Sequence, residues 1–446
     1  MNSTVALISL GCAKNLVNSE QMLALLRDAG FALVPEPSET DAESIDAVIV
    51  NTCGFIESAK TEAIDTILEL AELKARGRVG KIIVAGCLAE RYRAEMLAEL
   101  PEADAIVGVG GFGSIVAAVN SALAGERAVF SGKPEAGDDN LPRLVTTPGA
   151  WAYLKLADGC DNRCAFCVIP SIRGRYRSRS MEDVLREAES LVQGGARELI
   201  LIAQDTTRYG EDLCGSRKLA ELLRRLNEME DIRWIRAHYL YPDAIDAPLL
   251  GAFASNAKVL PYFDVPIQHI NNAILKAMRR RGTGDEARAL IRRIRDTVPR
   301  AVIRTSLITG LPGEGEAEFE ELCAFLREAR LERVGVFPYS PEEGTPAFDM
   351  PRPERETAEY RAELITDIQS RVMDAFNDSR VGTRELLLTD GYDDGGRALA
   401  RSYAEAPEVD GAIELDEALP PGIFIHAQII GHEDGTLRAR REETTP

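Results

Sequence analysis

The chain contains no run of about 18 uncharged apolar residues, so no part of it reads as a membrane-spanning helix and no membrane partner is expected. Its first residues, MNSTVALISLGCAKN, lack the basic stretch and the apolar run of an export signal, which predicts a cytoplasmic protein. Cysteine is scarce: eight thiols in 446 residues are too few for a disulfide scaffold. Without an export signal they read as thiols or metal ligands, and their positions carry the information. Basic residues number 52 against 72 acidic ones, and the net charge of -20 opposes nonspecific attraction to phosphate backbones and favours basic partners. A localised basic face could still bind RNA. Nothing points to disorder, because 45% of residues are hydrophobic and 28% charged, and the length predicts two to four domains.

What is present begins with one pattern repeated three times. VALISLGC ends at Cys12, AVIVNTC at Cys53 and KIIVAGC at Cys87, and an amphipathic helix candidate follows each. Short apolar runs alternating with helical periods predict βαβ units and a parallel sheet, whose strands share one carboxyl edge where ligands bind. Each cysteine alone could be a small buried residue. Three at the same place in three successive units favour a shared metal cluster, since three thiolates hold an iron-sulfur cluster with one iron left open. Gly108-Val-Gly110-Gly-Phe-Gly113 matches a dinucleotide fingerprint but follows a late strand instead of the first, so it reads as a glycine-rich turn.

A Gly-, Pro- and Asp-rich stretch predicts a linker at 126–145, after which WAYLKLADGC leads into Cys160-x3-Cys164-x2-Cys167. Such a loop can wrap three thiolates round one cubane and leave one iron free. A structural zinc site would need a second ligand pair, and neither Cys214 nor Cys323 has the spacing. The motif resembles the signature of the radical S-adenosylmethionine superfamily, with Phe166 at the aromatic position before the last cysteine. Downstream, ARELILIAQDT, IRWIRAHYLYP, YFDVPIQH, AVIRTSLITGLPGE and RVGVFPYS alternate with helix candidates, consistent with an open βα barrel. Gly310, Pro312, Gly313 and Glu314 could shape a cofactor pocket there, although a turn alone would explain them.

From Arg380 onward short β-prone segments separated by turn residues predict a small antiparallel β-barrel. Taken together, the layout is similar to that of the methylthiotransferases: an α/β multidomain chain with an N-terminal parallel-sheet domain at 1–125, the linker at 126–145, a radical S-adenosylmethionine domain at 146–378 and a TRAM-like barrel at 379–446. SLGCAKNLVNSE, ILIAQDTTRYG, YFDVPIQH, FPYSPEEGTPA and RSYAEAPEVDG resemble the RimO-type branch, which modifies ribosomal protein S12. The tRNA-modifying branch typically carries Gln-Met-Asn after its first cysteine, where this chain has Ala13-Lys14-Asn15. One departure is Asn18-Ser19-Glu20, where the family commonly shows Asp-Ser-Glu.

The resemblance implies two 4Fe-4S clusters, one on Cys160, Cys164 and Cys167 that chelates S-adenosylmethionine, and one on Cys12, Cys53 and Cys87 that holds the sulfur to be inserted. A 5'-deoxyadenosyl radical would abstract hydrogen from the β-carbon of an aspartate, giving 3-methylthioaspartate. The implied partners are ribosomal protein S12 on the small ribosomal subunit and an electron donor such as flavodoxin or ferredoxin. The competing readings are methylthiolation of a tRNA adenosine and a noncatalytic RNA- or ribosome-binding iron-sulfur protein. Charge favours the protein substrate: residues 380–446 hold seven Arg and no Lys against fourteen acids, a net of -7. Asp393, Asp394, Glu405 and Glu408 are expected on the exposed face of that barrel. Arg173, Arg175, Arg177 and Arg179 alternate as one face of an extended segment would, to pair with a carboxylate, steady the cluster loop or remain solvated. His238 and His269 read as packing residues, and Arg279-Arg280-Arg281 as the charged end of a helix.

Overall fold

Aliphatic runs that cannot be left in water build the first layer. The strands Thr4–Ser9, Ile45–Thr52 and Val79–Gly86 lie side by side and parallel. The computed structural model describes residues 3–37, 44–132, 140–148 and 150–442, which divide into two compact units. Unit 1 comprises Met1–Thr146, Asp158–Arg179 and Ser340–Phe348. Its sheet has six parallel strands, in the order Ala32–Leu33, Thr4–Ser9, Ile45–Thr52, Val79–Gly86, Ala105–Val107 and Ala128–Phe130. Both faces are covered. Val48, Val50, Ile82 and Val84 meet Ala63, Ile67 and Leu70 of helix Glu57–Ala75. Ala47, Ile49, Ile83 and Ala85 meet Met22 and Leu26 of helix Ala13–Asp28 on the other side.

The stretch expected as a linker begins inside this sheet, because Ala128–Phe130 pairs with Ala105–Val107 as its sixth strand. Residues 133–139 lie outside the described residues. Beyond them, Leu144 N donates to Glu20 O at 3.0 Å, and the buried Glu20 carboxylate accepts from Arg143 Nε at 3.1 Å and Thr146 N at 2.7 Å. An ion pair removed from water therefore ties this stretch to unit 1.

Unit 2 comprises Thr147–Ala157, Ser180–Tyr339 and Asp349–Pro446. Six parallel strands form an open sheet in chain order, from Trp151–Lys155 through Glu198–Ile202, Trp234–Ala237, Val259–Asp264 and Val302–Thr309 to Arg333–Pro338. The covering helices start where the sequence caps them. Ser180 accepts from Asp183 N at 3.1 Å, and Thr283 and Glu286 form a reciprocal capping box. Among the described residues, no helix is long and apolar enough to cross a membrane.

Helix Arg355–Arg380 leads to a closed barrel of five strands. Four of its pairings are antiparallel, as expected of this small barrel, and closure adds one parallel pairing, of Ile413–Leu415 with Thr436–Arg441. Within the unit, charges are buried as a network. Glu198 accepts from Arg236 Nε at 2.9 Å and Arg401 Nη1 at 2.8 Å, while Glu405 accepts from Arg333 Nη2 at 2.8 Å, Arg380 and Ser402 Oγ at 2.7 Å. Glu405 corrects the sequence expectation: expected on the barrel surface, it is 2% exposed. Glu408 does lie at the surface, where its carboxylate accepts from the Tyr153 hydroxyl at 2.6 Å.

Burial alone would raise the Glu405 carboxyl, but Arg380, Arg333 and hydrogen bonds outweigh it and hold the group at about 2. Because the folded value is depressed, this stabilisation is complete above the ordinary value of 4.5 and is lost as pH falls toward 2. Glu405→Ala should cost about 3–5 kcal/mol by leaving two buried guanidiniums short of their carboxylate. Calorimetry should show a lowered transition for unit 2, and the gap between wild type and variant should close as the pH is taken down through that window.

Candidate functional site

Glycine sets the geometry at the carboxyl edge of the first sheet. Gly11 and Gly86, with φ of +92° and +98°, turn the chain out of two strands immediately before Cys12 and Cys87. A Cβ on Gly11 would lie 2.7 Å from the Cys53 Cβ, and one on Gly86 would lie 2.6 Å from Thr52 O, so only glycine permits the strand ends to come this close. Register completes the convergence, since Ser9 pairs with Asn51 and Thr52 with Gly86. Asn15 fastens the edge: its Nδ2 donates to Leu10 O at 3.1 Å and Thr52 O at 2.9 Å.

The three thiols sense one another. Burial first, and then Cys12 and Cys87, push the Cys53 thiol up to about 12. Burial also raises Cys87, opposed by Arg173 and reinforced by Cys12. At Cys12 burial is outweighed by Lys14, Arg173 and the backbone N–H groups of Asn15 and Lys14, and the thiol lies below its ordinary value. Three such thiolates cannot ionise side by side without a cationic centre among them, which is the chemistry a metal cluster supplies.

The second trio lies in the same unit. Cys160 N donates to Gly174 O at 3.2 Å, and Cys167 N donates to Cys164 O at 3.1 Å in a tight turn. Arg163, with φ of 54°, and Gly159, with φ of +79°, supply the left-handed backbone that the loop needs. Cys160 and Cys164 are buried, Cys167 and Phe166 half-buried. Ala347 N closes over the loop by donating to Ala165 O at 2.9 Å. Among the described residues, no three His, Cys, Asp or Glu side chains gather about a single-ion point. A four-iron cluster instead spreads its ligating sulfurs over a cube, and an all-thiolate donor set suits it.

The alternating arginines do not form one face. Ile169–Arg173 is helical, Arg173 is 1% exposed, Arg175 points outward beside Asp161, and Arg179 Nε donates to Asn140 Oδ1 at 3.0 Å. Arg173 turns into the first trio. Its Nη2 lies 2.6 Å from Asn15 Oδ1 and 3.4 Å from Cys87 Sγ, while Nη1 lies 2.9 Å from Asp158 Oδ2 and 3.2 Å from Asn18 Oδ1. Sequence reading offered pairing with a carboxylate as one alternative for this arginine series, but nothing in the spacing identified Asp158, Asn15 or Cys87 as its contacts.

In unit 2, Gly310, with φ of +74°, and Gly313, with φ of +88°, shape the turn after strand Val302–Thr309, and Pro312 is buried in it. The Glu314 carboxylate accepts from Gly310 N at 2.9 Å and Arg361 Nη1 at 2.9 Å, and His269 Nε2 lies 3.3 Å from its other oxygen. Glu314 therefore braces the turn from inside. His269 Nδ1 accepts from Asn271 N at 3.0 Å, and that ring is wholly buried, as the packing role requires.

Comparison with known proteins matches residues 4–108 to an uncharacterized protein family, UPF0004, residues 154–326 to the Radical SAM superfamily, and residues 381–441 to the TRAM domain. The chain is 45% identical to "Ribosomal protein uS12 methylthiotransferase RimO" of Acetivibrio thermocellus over 98% of each chain. It is 44% identical to the protein of that name from Caldicellulosiruptor saccharolyticus, over 96% of this chain and 97% of that one. Among solved structures, the radical S-adenosylmethionine methyltransferase TsrM of Kitasatospora setae, with cobalamin and a 4Fe-4S cluster bound, superposes with a TM-score of 0.57. At 14% identity over 78% of this chain and 74% of that one, the likeness concerns the fold alone.

The thiol order is open to test. In protein stripped of metal and kept reduced near neutral pH, Cys12 should alkylate faster than Cys53, because both are half-exposed and reactivity follows the thiolate fraction. Peptide mass spectrometry after timed iodoacetamide treatment reads the order. Equal rates would show that the three thiols do not share an electrostatic site.

Proposed function

The chain belongs to the RimO family of ribosomal protein uS12 methylthiotransferases, and we propose that it inserts a methylthio group at the β-carbon of an aspartate in that ribosomal protein. The observation that carries this reading is the meeting of three strand-end thiols at one sheet edge in the same unit as a separate three-thiol loop.

In this reading Cys160, Cys164 and Cys167 hold a 4Fe-4S cluster with an open iron for S-adenosylmethionine, and Cys12, Cys53 and Cys87 hold a second. When bound, such a cluster with S-adenosylmethionine supplies one-electron chemistry that can activate an aliphatic C–H bond, which acid-base side chains cannot do at neutral pH. The protein supplies placement. The tight Cys164–Cys167 turn and the Ala347 N–H bond to Ala165 O hold the second trio's loop in shape and bury Cys160 and Cys164, while within unit 2 the Gly310 to Glu314 turn is a preformed backbone braced by Arg361. Phe166, half-buried beside Cys167, is available to pack against the cofactor.

In this reading auxiliary-cluster, radical and TRAM-like functions fall to 1–125, 146–378 and 379–446, a division by role that differs from the two compact units, and the reaction takes place in the cytoplasm. Acidic residues on the barrel suit a basic ribosomal protein presented on the small subunit, and a flavodoxin or ferredoxin would deliver the electrons.

Anaerobically reconstituted protein should carry about eight irons, and joint replacement of Cys160, Cys164 and Cys167 by Ala should leave about four. Cys12→Ala, Cys53→Ala or Cys87→Ala should abolish methylthiolation while reductive cleavage of S-adenosylmethionine persists. In cells lacking the gene, mass spectrometry should find the methylthio mass missing from ribosomal protein uS12 and retained on tRNA. The opposite pattern would assign the chain a tRNA adenosine instead.

A further inference from the structure

We propose that Arg173 is a positioning residue for the first trio: carried on the helix into which the second trio's loop runs, it holds the Cys87 sulfur and places a fixed positive charge beside whatever group those three cysteines bind. This inference rests on the cluster reading above and concerns a residue that ligates nothing.

Three observations support it. First, the guanidinium is 1% exposed, so its charge must be met within the protein, and it meets the side chains of Asp158, Asn15, Asn18 and Cys87. Second, the fork is divided by function. One nitrogen is anchored on the Asp158 carboxylate at 2.9 and 3.2 Å, and the other reaches Asn15 Oδ1 at 2.6 Å and Cys87 Sγ at 3.4 Å. A planar guanidinium makes such a two-sided link, whereas an ammonium acts as a point charge. Third, the partner Asn15 is the residue whose amide ties Leu10 to Thr52 at the sheet edge, so Arg173 holds the frame of the site as well as one sulfur.

Hydrogen bonds to ligating sulfurs and net charge near the metal are what set the potential of an iron-sulfur group. A cation beside Cys87 stabilises the more negative, reduced form and raises the potential. Asp158 sets how much of that charge the site feels. Arg173 thereby links the occupancy and potential of the first trio to the correct folding of the segment that carries the second.

The test uses the full chain, reconstituted anaerobically, with potentiometric titration followed by electron paramagnetic resonance. The signal of the S-adenosylmethionine-binding cluster is identified by its displacement when that cofactor is added, and the remaining signal reports the first trio. Arg173→Gln should move the potential of this signal to more negative values, Arg173→Lys should restore it in part, and Asp158→Asn should move it to more positive values. If Arg173→Gln fails to fold, the opposite sign expected of Asp158→Asn carries the test alone. Retention of about eight irons with no shift in any variant would overturn the role of Arg173 and leave the cluster assignment standing. A wild-type chain that holds only about four irons would overturn the cluster assignment, and this inference with it.

Discussion

Register in a parallel sheet is the constraint on which the chemistry of unit 1 depends. Three neighbouring strands paired in parallel end at the same edge, and the pairings of Ser9 with Asn51 and Thr52 with Gly86 align those ends. A cysteine following each strand is then delivered to that edge. The arrangement demands residues without side chains beside the sulfurs, and Gly11, Gly54 and Gly86 meet that demand, each with backbone or a Cβ under 3.0 Å from where its own Cβ would stand. A slip of one register position would misalign the strand ends and turn their core residues to the wrong face, so the hydrophobic layers that fix the register also fix the site.

Buried charge is handled in the same way in both units, by carboxylates and cations, mostly guanidiniums, that each have several partners. In unit 1 Arg173 meets Asp158 and two asparagine carbonyls, and Arg91 and Lys60 meet the buried Glu342 at 2.6 and 3.2 Å. In unit 2 Glu198 and Glu405 each take two arginines. Removing such groups from water is expensive, and a hydrogen-bonded network with every member paired makes it tolerable at the price of strict placement. That strictness suits a planar guanidinium, which holds several partners in fixed directions, as Arg173 and Arg236 do at 1% and 0% exposure.

Much of this was legible in the sequence because it is periodic or local. The strand-cysteine-helix repeat announces the parallel sheet and the convergence of Cys12, Cys53 and Cys87 at its edge, and Cys160-x3-Cys164-x2-Cys167 announces a tight loop after a strand. Less legible were contacts between residues far apart in the chain. Asn15 and Asn18 entered the sequence reading only as family signatures. Their work depends on Arg173, 158 and 155 residues away in the chain. The alternation of Arg173, Arg175, Arg177 and Arg179 suggested a strand face because spacing by two is the β period. The helical turn that ends at Arg173 breaks that period, and burial then separates Arg173 from Arg175.

The acidic barrel shows where composition misleads and where it holds. Glu405 counted as surface charge in the sequence, yet it is buried between Arg380 and Arg333. Glu385 is likewise buried against Arg380, and Arg401 is buried against Glu198. Two acids and two bases of the segment therefore drop out of its surface, and the balance of -7 read from residues 380–446 is left unchanged. Long-range steering depends on that net value and not on which carboxylates supply it. The net charge of the segment is therefore unaffected by the correction, while the residues that carry it at the surface are outward-facing groups such as Asp394 and Glu408 instead of Glu405.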